Sequence, residues 1–66
     1  MTRAPSDEGY IVEYVAVGGS MKVTAFDPIT LTEASIIAPS GASQHDMATL
    51  AIRKLDYVLG KKQGGE

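Results

Sequence analysis

The sequence predicts an α+β fold: a three-stranded antiparallel β-meander, order 1-2-3, with one C-terminal α-helix packed on one face. Three observations predict it. Gly18-Gly19 separates two alternating runs, and Asp27-Pro28-Ile29-Thr30 separates the second run from a third. Apolar residues then recur at helical spacing between positions 47 and 59.

The first strand spans about residues 10–17 and is rich in Tyr and Val, which suit a pleated, half-buried surface. Gly18-Gly19 then makes a two-residue hairpin loop, because glycine enters φ > 0 freely at both positions. The second strand covers about 21–26. Asp27-Pro28-Ile29-Thr30 follows as a type I turn, with aspartate at its first position and proline at its second. Leu31 is anomalous, since a loop of this kind places glycine or asparagine there in the left-handed region. The third strand covers about 32–38 and stops at Pro39, which has no amide to donate.

Pairing outward from both turns sorts the side chains. Val12, Tyr14, Ala16, Met21, Val23, Ala25, Ala34, Ile36 and Ala38 fall on one face. Ile11, Glu13, Val15, Lys22, Thr24, Phe26, Glu33, Ser35 and Ile37 fall on the other. Ser43 is a helix N-cap, and Asp46 three residues on completes an approximate capping box. The spacing predicts a helix over 44–59 with Gly60 as its C-cap residue. Met47, Ala48, Ala51, Ile52, Leu55, Val58 and Leu59 form its sheet-facing stripe, while Leu50 and Tyr57 stack on a second flank. The expected organisation is a disordered segment over 1–9, one domain over 10–60 and a frayed tail over 61–66.

At 66 residues, one core supplies only roughly 3–5 kcal/mol, so domains of this size usually add a disulfide, a metal or a partner. With no cysteine and one histidine, disulfides and a closed zinc site are excluded, leaving association with another chain. A net charge of −2 does not suit a polyanion binder. No apolar stretch is long enough for a membrane span, and the N-terminus lacks a secretory signal, so a cytoplasmic protein is expected.

No motif points to catalysis, a cofactor or a metal. Gly18-Gly19-Ser20-Met21-Lys22 resembles a phosphate-cradling loop, but a strand follows it where a P-loop needs a helix. Ser40, Ser43, His45 and Asp46 lie close in sequence, yet neighbours on a helix point about 100° apart and do not face one another. Among the carboxylates Asp7, Glu8, Glu13, Asp27 and Glu33, only Glu13 and Glu33 share the open face. They sit on outer strands about 10 Å apart, too far for one Mg²⁺ ion. Arg53, Lys54, Lys61 and Lys62 make the helix's C-terminal half basic, either as a nucleic-acid contact or as a complement to the helix dipole. Glu13 and Glu33 against a single Lys22 on the open face favour the dipole.

From residue 13 to residue 59 the chain resembles short bacterial proteins of a domain-of-unknown-function family. The resemblance rests on Gly18, Lys22-Val23-x-Ala25-x-Asp27, Thr32-Glu33, Pro39 and Ala51-x-Arg53-Lys54-Leu55-x-Tyr57. It implies a stand-alone small domain and brings no activity, cofactor or site residue.

The open face is half apolar, with Ile11, Val15, Phe26 and Ile37 plus Val17 at the strand's end, where a solvated antiparallel face is mostly polar. With the Leu50/Tyr57 flank, these residues are the candidate interaction surface. The expected function is a small non-catalytic interaction module that self-associates as a homodimer or binds another protein. The alternative is a nucleic-acid-binding module using the basic end of the helix. An enzymatic role would require completing an active site on a partner.

Overall fold

The computed structural model describes the backbone of residues 2–5 and 9–64 and the side chains of residues 9–60. Its elements are β1 (Thr2–Pro5), β2 (Ile11–Val17), β3 (Ser20–Asp27), β4 (Thr32–Pro39) and α1 (Gln44–Gly64). The strands form one antiparallel sheet in the order β1-β2-β3-β4. The three expected strands are β2, β3 and β4, in their expected order and followed by the C-terminal helix.

β1 is an addition, because the sequence predicts disorder over 1–9. Thr-Arg-Ala-Pro carries no alternating apolar pattern, so nothing local marks it as a strand. β2 would otherwise leave one edge of its backbone unpaired, and β1 pairs with that edge from Thr2↔Tyr14 to Pro5↔Ile11. Pro5 is tolerated because the backbone groups of Ile11 already belong to the Ile11↔Phe26 rung of β3.

The register follows the two turns. Val12↔Ala25, Tyr14↔Val23 and Ala25↔Ala34 pair on the helix side, and Ile11↔Phe26, Thr24↔Ser35 and Lys22↔Ile37 on the open side. At the first turn Gly18 has φ 61°, but Gly19 does not enter the left-handed region. This is the type II′ pattern, so positive φ is needed at one glycine where the sequence allowed two. At the second turn Leu31 has φ 61°, the conformation that makes leucine anomalous there.

Asp27 holds this second turn together. Its carboxylate accepts from the Ile29 amide and the Thr30 hydroxyl, both at 3.0 Å, and its carbonyl accepts from the Leu31 amide at 2.8 Å. The Thr32 hydroxyl lies 3.0 Å from that of Thr30. The Thr30 hydroxyl is the donor in both contacts, so its one proton is shared between the Asp27 carboxylate and the Thr32 oxygen. Asp27 and Thr32 are buried, and these bonds offset the cost of dehydrating them.

Pro39 ends β4, and a turn closed by the Ala42 amide on the Pro39 carbonyl leads into the helix. The Ser43 hydroxyl accepts from the Asp46 amide at 3.0 Å, the N-cap bond expected of it. The helix does not stop at Gly60. Glycine in a helix costs about 1 kcal/mol relative to alanine but ends it only by turning left-handed, which Gly60 does not do. Lys61, Lys62 and Gln63 favour helix and carry it to Gly64, into the segment expected to fray. Residues 1, 6–8, 65 and 66 lie outside the described residues, as does that part of the expected terminal disorder.

α1 runs back along the sheet, chiefly over β3 and β4. The Tyr14 hydroxyl donates to the Gln44 carbonyl at 3.4 Å near the helix start. The Tyr10 hydroxyl donates to Asp56 Oδ1 at 2.7 Å further along. Met47, Ala51 and Leu55 of the predicted stripe are buried against Val12, Tyr14, Val23, Ala25, Ala34 and Ala38. Ala48, Ile52 and Leu59 pack at the margin.

Candidate interaction surface

The open face is laid out in rows by the register. Ile11, Phe26 and Glu33 form one row, Glu13, Thr24 and Ser35 the next, and Val15, Lys22 and Ile37 the third. Ile11, Val15 and Phe26 are half-buried by their neighbours, whereas Ile37 on the outermost strand is 66% exposed. The middle row is polar, and its Thr24 and Ser35 hydroxyls hydrogen-bond across the strands at 2.7 Å. The apolar residues are therefore split into two bands rather than joined in one patch.

Leu50 and Tyr57, 52% and 66% exposed, lie on the other side of the sheet from this face. The two halves of the predicted surface are not brought together. Lys54 defines where the flank points. Its ammonium donates to the Ser35 carbonyl at 2.7 Å, reaching down to the outer edge of β4. At 100° per residue, Leu50 and Tyr57 stand within about 60° of Lys54 on the side away from the core. The flank thus overhangs the β4 edge.

The backbone along that edge alternates. Ser40 donates to the Gly19 carbonyl at 3.3 Å, which makes 19–40 a bonded rung. Counting on, Thr24↔Ser35 is a wide rung whose backbone groups face outward and whose side chains approach closely. The 2.7 Å hydroxyl pair and the Lys54 bond both agree. The amides of Glu33, Ser35 and Ile37 therefore face away from β3, and so does the carbonyl of Pro39, whose missing amide falls where no rung needs it.

The sequence reading missed the β3–β4 turn as an exposed apolar point. Ile29 is 89% exposed and Leu31 72%. Two large aliphatics in a turn that favours polar residues and glycine was the signal available.

Of the basic candidates, Arg53 is exposed and Lys54 is engaged with Ser35. The side chains of Lys61 and Lys62 lie outside the described residues. Ser43 serves as a cap, His45 is exposed in the first turn, and its carbonyl accepts from the Thr49 hydroxyl at 2.9 Å. Among the described residues no group of three or more His, Asp or Glu is placed to hold a metal ion, and no helix is long and apolar enough to cross a membrane.

No curated protein and no solved structure matches the chain. A family model described as "Domain of unknown function (DUF6898)" matches residues 7–63. With β2, β3, β4 and nearly all of α1 inside that match, the chain belongs to this family of domains of unknown function.

Proposed function

We propose that this chain is a small, non-catalytic, cytoplasmic interaction module that self-associates. The observation carrying the reading is an imbalance of apolar side chains. Among the described residues, four of the nine buried in the core are alanines, while Val17, Ile29, Leu31, Ile37, Leu50 and Tyr57 are each more than half exposed. An alanine-rich core in so short a chain buries little apolar area, and each large side chain covered by a second copy adds about 1.5–3 kcal/mol at most. Sedimentation equilibrium of the full chain tests this. A mass twice 7.0 kDa at accessible concentrations is the expected result. A 7.0 kDa particle up to millimolar concentration overturns it.

A further inference from the structure

We propose that two copies join through the outer edges of β4, antiparallel about a two-fold axis near Ser35, so that the sheets become one and the helices lie side by side. This rests on the self-association reading and selects its surface. The occupant is a second copy because the edge and the helix flank are each complementary to themselves under that one operation.

About an axis at Ser35, Ser35 pairs with Ser35 of the second copy and Glu33 with Ile37. These are the residues whose backbone groups face outward, so each outward amide meets an outward carbonyl. Pro39 falls beyond the paired segment, so its missing donor costs nothing.

The same axis acts on the helix. It passes beside Lys54, which holds the Ser35 carbonyl, and it makes the two helices antiparallel. Leu50 and Tyr57 lie nearly equally before and after that point, so Leu50 of one copy opposes Tyr57 of the other. Strands about 4.8 Å apart put a helix lying over β3 and β4 roughly 5 Å from the axis. The two helix axes are then about 10 Å apart, the spacing at which helices pack.

The open face lacks this self-complementarity. Stacking it on itself would dehydrate Glu13, Lys22 and Glu33 together with the Thr24–Ser35 hydroxyl pair. Lys54 acts as the guard of the edge, occupying in the single copy a carbonyl that the pair gives to an amide.

Amide hydrogen exchange on the full chain, followed by NMR against concentration, tests this alongside sedimentation. The amides of Glu33, Ser35 and Ile37 exchange rapidly in dilute protein, and they slow by at least about tenfold as the mass doubles. Leu50→Glu and Tyr57→Glu, both at exposed positions, each weaken association about tenfold or more. Lys54→Ala strengthens it, and Val15→Lys on the open face leaves it unchanged. Helical circular dichroism confirms that each variant folds. Doubling of the mass while the three amides still exchange rapidly overturns the β4 pairing and leaves self-association standing. The same holds if Val15→Lys disrupts the pair and Leu50→Glu does not. A monomer at every concentration removes both readings.

Discussion

Gly18 and Gly19 are chemically identical neighbours, and replacing each with alanine isolates one backbone angle. A Cβ at either position meets nothing within 4 Å, so neither substitution introduces a clash. Alanine narrows the unfolded ensemble equally at both positions, stabilising by about 0.4–1 kcal/mol. Gly18 has φ 61°, where a Cβ crowds its own backbone at a cost of roughly 1–2 kcal/mol, and Gly19 has no such strain. The shared unfolded-state gain cancels in the comparison, so Gly19→Ala exceeds Gly18→Ala in stability by about 1–2 kcal/mol. Gly19→Ala itself equals or exceeds the parent protein. For a domain of this size the difference corresponds to roughly 5–15 °C in Tm. Urea and thermal unfolding by circular dichroism, at one fixed protein concentration because association shifts apparent stability, measure it. Equal stabilities, or Gly18→Ala the more stable, would refute the type II′ assignment and the strain argument.

Three further outcomes follow from the packing and the turns. Leu31→Gly is more stable than Leu31→Ala by about 0.5–1 kcal/mol in urea unfolding, reversing the usual order of these residues, because only alanine keeps the left-handed strain. Ser43→Ala costs about 1 kcal/mol by leaving the Asp46 amide without its cap, measured as a lower Tm in circular dichroism. Leu55→Ala, at a fully buried position, costs about 2–5 kcal/mol. That is comparable with the whole stability of a domain this small, so its helical circular dichroism at 37 °C is largely lost.

The meander was legible because its signals are local. Gly18-Gly19 and Asp27-Pro28 each set a register within a few residues, and a period of two then assigned the paired strand residues between Ile11 and Ala38 to their faces. The helix start was legible for the same reason, through Ser43 and Asp46. The candidate surface was legible only residue by residue. Ile11, Val15, Phe26, Ile37, Leu50 and Tyr57 read as one group, yet the sheet and helix place the first four and the last two on opposite sides.

Other features were decided by the tertiary structure. Thr2–Pro5 has no strand pattern of its own and pairs because β2 presents an unpaired edge. Gly60 reads in the sequence as the residue that ends the helix, and the folded backbone instead carries the helix through it to Gly64. Burial of Met47, Ala51 and Leu55 sets how the helix is rolled on the sheet, and the reach of Lys54 to the Ser35 carbonyl marks the side of the helix that lies above the β4 edge. Sequence by itself determined which residues share a face, because periodicity and turn geometry act within a few bonds. Where one element overhangs another depends on long-range packing and hydrogen bonds between residues distant in the chain, and only the folded sheet and helix specify it.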